Sequence, residues 1–294
     1  MPKPLVSIIL PTYNRHELFK RACASVAAQT FRDFELVVVD DGSTDQALEI
    51  DKDTLPPVKL IRHGVNRGAA AARNSGIKAA TGEWLAFIDS DDTWAPDKLS
   101  AQVAYTREAV GQVWANCTGF RLHRRGQITE TCIDIQPGAF AREILWGCFV
   151  SPGSTLMMRR EVIHKVGLFD ESFRRLEDWD WLLRFSRHYE LTFLPRPLVD
   201  IFVGERAVAN DPEQDPVLLA INRIKALHMP WIRSRGWIAA AKFRSTLRVE
   251  KAAQFYWMNR PISAAFHIIA ALLWYPARNA DFFRLIWQRL RRTT

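Results

Sequence analysis

The 294-residue chain has little of what announces several common protein classes. Its four cysteines (Cys23, Cys117, Cys132 and Cys148) lie far apart, form no C-x-x-C pair and have no histidine at zinc-like spacing. That excludes a metal knot and a disulfide framework, and suits a reducing cytosol. No G-x-G-x-x-G follows the first apolar run, which argues against a nicotinamide dehydrogenase. "PTYNRHELF" stands where a sugar-phosphate nucleotidyltransferase would need a Gly-rich, basic triphosphate loop. The opening "MPKPLVSIILPTYN" has an apolar stretch that stops at Pro11 without a small-residue cleavage site, so no signal peptide is expected. Internal repeats, low-complexity segments and long Gly/Ser linkers are missing as well. The apolar stretch "ISAAFHIIAALLWY" (residues 262–275) is too short to span: about 21 Å as a helix, against a hydrocarbon core of roughly 30 Å.

What the chain does have is 48% hydrophobic residues, enough to fill a sizeable core, and an uneven charge. Residues 217–294 carry fourteen Lys and Arg against Glu250 and Asp281, a net +12, so the total of +8 leaves −4 on residues 1–216. An acidic body with a basic tail predicts an anionic partner for the tail, with nucleic acid the weakest candidate.

"LVSIIL", "FELVVVD", "VKLIRH" and "WLAFID" are continuous apolar runs separated by helical stretches, which predicts parallel strands in a sheet covered on both faces. Asn14 followed by Glu17 reads as a capping box opening a helix, with Leu18, Ala22, Val26 and Gln29 along one path. A second helix is expected over "GAAAARNSGIKAA", with Gly82 in the turn beyond it. Ligands of such sheets gather at the carboxyl ends of the strands. "PTYN", "DDGSTD", "HGVNRG" and "DSDD" follow the first four strands, so all four polar clusters fall on that rim. The loop-like "ERAVANDPEQDPV", residues 205–217, marks a boundary.

Two carboxylate clusters carry the chemistry. In "AFIDSDDTW" the D-x-D pair Asp89 and Asp91 can present oxygens to one hard divalent ion, Mg²⁺ or Mn²⁺, able to bridge the phosphates of a nucleotide diphosphate. Asp92 or Thr93 is expected to cap the helix that follows. In "VVVDDGSTD" Gly42 makes a tight turn, Asp40 or Asp41 can accept from a base N–H at the strand end, and Asp45 or Thr44 reads as a helix cap. Tyr13 offers a ring for stacking on the base. In "LEDWDW" a helix N-terminus collects Glu177, Asp178 and Asp180, where carboxylates complement the helix dipole. His164 reads as a surface helix residue.

"SIILPTYNR", "VVVDDGSTD", "NRGAAAARNSGI", "TGEWLAFIDSDD" and "GLFDESFRRLEDWDWLLR", in this order over roughly residues 5–190, resemble the inverting glycosyltransferases of family 2. The resemblance implies an α/β GT-A fold: a Rossmann-like, nucleotide-binding, mostly parallel sheet flanked by helices. It would occupy residues 1–210, with a nucleotide-binding half near 1–115 and an acceptor half near 116–210. A basic, amphipathic helical extension would follow over 211–294.

The reaction implied is metal-dependent, inverting transfer of a sugar from a nucleotide-diphosphate donor, UDP-linked, to a hydroxyl of a glycan or lipid-linked acceptor in surface-polysaccharide or envelope synthesis. Pro11, Thr12, Tyr13, Asp40, Asp41, Asn66, Gly68, Arg73, Asp89 and Ser90 fall at nucleotide-side positions, with Asp41 favoured to read the base. Asp91 and Asp89 match the metal ligands, Asp178 the general base, and Glu177 its support. Ser151, Pro152 and Gly153 would give a close backbone approach on the acceptor side. One departure concerns the loop after the base helix. "PLVDIFVGERAVAN" replaces the usual pattern, leaving Arg206 as the candidate to close over the diphosphate.

"ARNADFFRLIWQRLRR", residues 277–292, reads as an amphipathic basic helix suited to an anionic membrane surface. That would place a cytoplasmic enzyme peripherally on the inner face of the cytoplasmic membrane. Helices packed on the catalytic domain or in a homo-oligomer are the competing reading. The rival function is a catalytically idle, membrane-docked nucleotide-sugar-binding module.

Overall fold

A computed structural model of the chain describes residues 3–46, 48, 50, 55–109, 111–204 and 211–275. In chain order the elements are β1 (Val6–Thr12), α1 (His16–Ala27), β2 (Phe34–Asp40), β3 (Val58–Arg62), α2 (Ala69–Ala79), β4 (Trp84–Phe87), β5 (Thr93–Trp94) and α3 (Lys98–Glu108). There follow β6 (Ala115–Arg124), β7 (Gln127–Thr131), α4 (Phe140–Glu143), a 3-10 turn (Ile144–Trp146), α5 (Pro152–Thr155), β8 (Leu156–Arg159), α6 (Val162–Val166), α7 (Glu177–Phe185) and β9 (Leu191–Phe202). Three long helices close the described chain: α8 (Pro216–Ser234), α9 (Trp237–Trp257) and α10 (Pro261–Trp274).

Contacts divide the chain into two units. The first holds Met1–Phe140, Cys148–Ser172 and Arg184–Glu205; the second holds Ala141–Gly147, Phe173–Leu183 and Arg206–Thr294. The division is not a linear cut near residue 210, because two earlier segments belong with the final helices.

The first unit is built on one sheet of order β3-β2-β1-β4-β8-β6-β9-β5, with β7 on β6. β3, β2, β1 and β4 are mutually parallel; β8 joins β4 antiparallel, and β6 with β9 forms a further parallel pair. Every residue of β1 is buried, which explains why it reads as an unbroken apolar run and not as an alternation. The register pairs Val6 with Phe34 and Thr12 with Asp40, so the ends of β1 and β2 finish level. β1 has β2 on one side and β4 on the other, so the strand order switches direction there, where open α/β sheets leave a crevice.

Helix α1 corrects two expectations. Its buried face is His16, Phe19, Ala22, Cys23 and Val26, whereas Leu18 is 36% exposed; Gln29 is buried as expected. The Asn14–Glu17 capping box does not form. Asn14 takes φ +49° and its Oδ1 accepts from the Thr44 N–H at 2.8 Å, while the Asp45 carboxylate accepts from the His16 N–H at 3.3 Å. The loop after β2 therefore supplies the cap of α1, and Asn14 is spent in fixing that loop. Helix α2 forms where expected, with Gly82 in the turn beyond it.

In the second unit Pro216 and Pro261 stand in the first turns of α8 and α10, where a missing N–H costs nothing. Asp215 caps α8 by accepting from the Val217 and Leu218 N–H groups at 3.0 Å, and its other oxygen accepts from Gln254 at 2.6 Å. The core includes Trp179, whose ring lies 5.8 Å from that of Phe243 and whose Nε1 donates to the Ile144 carbonyl at 3.0 Å. No helix among the described residues is long and apolar enough to cross a membrane. The expected amphipathic helix over 277–292, and Arg206, lie outside the described residues. All four cysteines are free thiols, and burial pushes those of Cys23 and Cys117 up to about 12.

Candidate active site

The first unit gathers its acidic groups just past β4. One oxygen each of Asp89, Asp91 and Asp92 lies within 4.8 Å of the others. Three carboxylates so close cannot all ionise cheaply. Burial, then the neighbouring Asp89, raises the Asp91 carboxyl, and the same two causes push Asp92 up to about 8.

The turn is wired to four separated parts of the chain. Arg15 Nη1 donates to Asp91 Oδ2 at 2.5 Å, and Arg21 Nη2 donates to the Asp91 carbonyl at 2.5 Å. Arg73, almost fully buried, donates from Nη2 to Asp89 Oδ1 at 2.7 Å. The Ser154 hydroxyl accepts from the Asp89 N–H at 3.0 Å and donates to Asp92 Oδ2 at 2.5 Å. The remaining Asp92 oxygen accepts from the Phe202 N–H at 3.2 Å. Asp92 is thus no helix cap: Asp97 precedes α3, Thr93 lies in β5, and Asp92 is the buried third member of the cluster.

Helix α5 brings Ser154 into place, with Ser151 at its start in the left-handed region at φ +46°. A Cβ on Gly153 would lie 2.3 Å from Asp89 Oδ2 and 3.0 Å from Arg73 Nη2. The backbone at Gly153 thus approaches the aspartate–arginine pair closely. The cluster's chemistry fits a hard divalent cation: three carboxylate oxygens within reach of one centre, two of the groups raised by burial and by repulsion from Asp89.

The rim next to β2 is organised by Asp41. Its carboxylate accepts from the N–H groups of Arg67 (3.0 Å) and Gly68 (2.7 Å), and meets His63 Nδ1 at 2.6 Å. His63 Nε2 in turn lies 2.9 Å from the Ser75 hydroxyl. Through these contacts Asp41 fixes the 63–68 loop and the start of α2. Asp40 Oδ1 accepts from the Ser43 N–H at 2.9 Å, and Oδ2 faces Arg62 at 3.8 Å. A Cβ on Gly42 would lie 2.6 Å from the Val65 backbone, which brings Asn66, exposed, against this turn. Tyr13 is 41% exposed and so is not a core tyrosine. Pro11, Thr12 and Ser90 are buried, and Thr12 Oγ1 finds no hydrogen-bond partner among the described residues.

In the second unit α7 opens on Glu177, Asp178 and Asp180. Glu177 and Asp178 are half-buried, and Asp178 Oδ1 accepts from the Trp179 N–H at 2.7 Å. Asp180 is fully buried against His228 Nε2 at 2.8 Å, so it does not share the environment of Glu177. His164 lies on α6, near its end.

Reading the sequence missed Ser154, Arg15, Arg21 and His63. A serine inside "SPGST" and arginines on a helix carry no spacing signal for a cluster some 70 positions away.

Comparison with known proteins follows the same lines. The family model described as Glycosyl transferase family 2 matches residues 7–167, more than half of the chain. An uncharacterized glycosyltransferase of Haemophilus influenzae is 30% identical over 193 residues, 64% of each chain. A PGL/p-HBAD biosynthesis glycosyltransferase of Mycobacterium bovis is 33% identical over 194 residues, 63% of this chain and 70% of that one. A Rickettsia felis glycosyltransferase, also uncharacterized, is 34% identical, but the matched part spans 29% of its length. The chain spans less than two thirds of several such relatives. Among solved structures, S. aureus TarS 1-349 superposes with a TM-score of 0.67 at 20% identity, covering 98% of this chain and 92% of that one. The similarity to TarS shows a shared α/β GT-A fold, and with the match over residues 7–167 the chain belongs to glycosyl transferase family 2.

Proposed function

We propose that the protein transfers a sugar, with inversion, from a nucleotide-diphosphate donor to a hydroxyl of a glycan or lipid-linked acceptor in surface-polysaccharide or envelope synthesis. The observation that carries this reading is the Asp89–Asp91–Asp92 cluster at the switch point of the sheet. Support for the donor comes from the TarS complex with UDP-GlcNAc (TM-score 0.69), which favours a UDP-sugar. A Pyrobaculum calidifontis mannosyltransferase in complex with GDP-Man and Mn²⁺ (TM-score 0.53) supports a divalent ion.

Asp89 and Asp91 would hold Mg²⁺ or Mn²⁺, which supplies charge neutralisation for the leaving diphosphate. Arg73 and the Gly153 backbone fix Asp89, while Ser154 and the Phe202 N–H hold Asp92 so that the turn keeps its shape. Tyr13 stacks on the base, and Asp40 or Asp41 accepts from its N–H edge. Asp178 takes the proton of the attacking hydroxyl as that oxygen bonds to the anomeric carbon and the bond to the diphosphate breaks; a single displacement of this kind inverts the configuration. Glu177 supports the base at the start of α7, and Arg206 is the candidate for closure over the diphosphate.

Calorimetric titration with UDP, GDP, dTDP and CDP, each with and without Mn²⁺, tests the donor class. One tight, metal-dependent ligand is expected, and its loss in Asp91→Ala. Asp178→Asn should abolish transfer while leaving donor binding intact. Full transfer by that variant removes the base assignment, and binding of a nucleotide without turnover of any donor points to an idle module.

A further inference from the structure

Among the described residues, one face of helix α10 is uncovered. Ile262, Phe266, Ile269 and Leu273 follow a spacing of four, three and four, so they form one stripe, and they are 86%, 62%, 60% and 79% exposed. The opposite face, with Ala264 and Ala271 buried and Ile268 and Leu272 beside them, packs on Val249 of α9.

Beside the stripe lies a cationic cradle. A cavity of about 100 Å³ is lined by Lys225 of α8, by Arg244, Arg248 and Lys251 of α9, and by Trp274 of α10. The Arg244 guanidinium stands over the Trp274 ring at 4.4 Å. Arg248 lies 6.0 Å from the Phe266 ring, and its Nη1 meets His267 Nδ1 at 2.9 Å. Lys251 donates to Asn222 Oδ1 at 2.6 Å. Among the described residues no carboxylate forms an ion pair with any of these four cations. Their crowding shows in the neighbours: burial, then Arg248 and Lys251, pushes His267 down to about 4, and burial with Arg248 and Lys225 lowers Lys251.

We infer that the cradle of Lys225, Arg244, Arg248 and Lys251 binds the phosphate of an anionic phospholipid while the α10 stripe lies in the bilayer interface. Four cations that no carboxylate among the described residues pairs with, around a cavity of this size, favour a phosphate-sized anion. A soluble phosphate would leave the adjoining stripe wet, whereas a lipid phosphate brings apolar cover with its charge. Phe266 and Trp274 form the border between the two, as amphipathic and aromatic side chains do at an interface. The net +12 of residues 217–294 adds attraction to an anionic surface. The inference does not rest on the sugar-transfer reading.

Sedimentation of the full chain with phosphatidylcholine vesicles, and with vesicles of equal parts phosphatidylcholine and phosphatidylglycerol, tests it at low and high salt. Salt-sensitive binding to the mixed vesicles is expected. Arg248→Glu with Lys251→Glu should lower it by about tenfold or more. Ile269→Ser with Leu273→Ser should lower it at both salt levels. Melting curves check folding, and should the charge reversal unfold the chain, Lys225→Gln with Arg244→Gln takes its place. Vesicle binding by the cradle variants equal to that of the parent overturns the inference, even if the parent binds well. So does calorimetric binding of inorganic phosphate at the cradle without vesicle binding, retention on DNA in place of vesicles, or self-association abolished by the stripe variant in a chain that ignores vesicles.

Discussion

A methyl group at position 153 would meet Asp89 Oδ2 at 2.3 Å, and a carboxylate can swing aside more easily than backbone can move. Gly153→Ala should therefore keep the melting temperature near that of the parent while weakening Mn²⁺-dependent nucleotide binding about tenfold or more, since the displaced oxygen belongs to the cluster. Equal affinity would show that Asp89 is not held by this contact. Lys98 makes the opposite case. It is wholly buried, its Nζ lies 3.6 Å from the Trp94 ring centre, and it finds no hydrogen-bond partner among the described residues. Burial holds its amine well below the ordinary lysine value. Between that lowered value and the ordinary one, the unfolded chain binds a proton that the folded chain does not, so stability rises with pH in that window. Lys98→Met should stabilise the fold at neutral pH by about 1–3 kcal/mol and remove the rise, as urea melts over a pH series would show. At this scale the sequence disclosed Asp89 and Asp91 through their spacing. It hid the role of Asp92, whose partners Ser154 and Phe202 are 62 and 110 positions away.

Strands buried on both faces were the most legible elements, although β3 also reads as a strand with exposed residues along it. β1, β2 and β4 announce themselves because both faces are covered, while β5, two residues long, exists only through its pairing with β9. The cap of α1 was misread for a related reason: Asn14 and Glu17 have the right local spacing, but Asp45 reaches His16 from another loop. The loop of residues 63–68 depends on a single carboxylate, since Asp41 accepts two backbone N–H groups there and meets His63. Asp41→Ala should strand those donors and cost about 2–4 kcal/mol, with earlier hydrogen exchange at Arg67 and Gly68 than elsewhere in the first unit. Unchanged protection at these two amides would remove Asp41 from that role.

For the molecule as a whole, the compositional break near residues 205–217 pointed to a body and a tail. The contacts instead assign Ala141–Gly147 and Phe173–Leu183 to the unit of the final helices. No composition signal marks those segments, because their apolar residues look like any other core. A chain cut after Glu205 would leave Trp179 without Phe243 and Asp180 without His228. It should show red-shifted tryptophan emission and bind a hydrophobic dye; native-like emission with a sharp melt would contradict the assignment.

The bond from the Phe202 N–H to Asp92 also sets an order of events in the cell. A ribosome delivers Asp92 110 residues before Phe202, a delay of about 5–20 s at ordinary elongation rates. The strands β1 to β4 are already synthesised when that interval begins, but β5 has no β9 to pair with and Asp92 lacks a backbone donor. The nascent protein thus carries an unfinished acidic turn through much of its own synthesis, and Asp92 gains its full set of partners only after about two thirds of the chain has emerged.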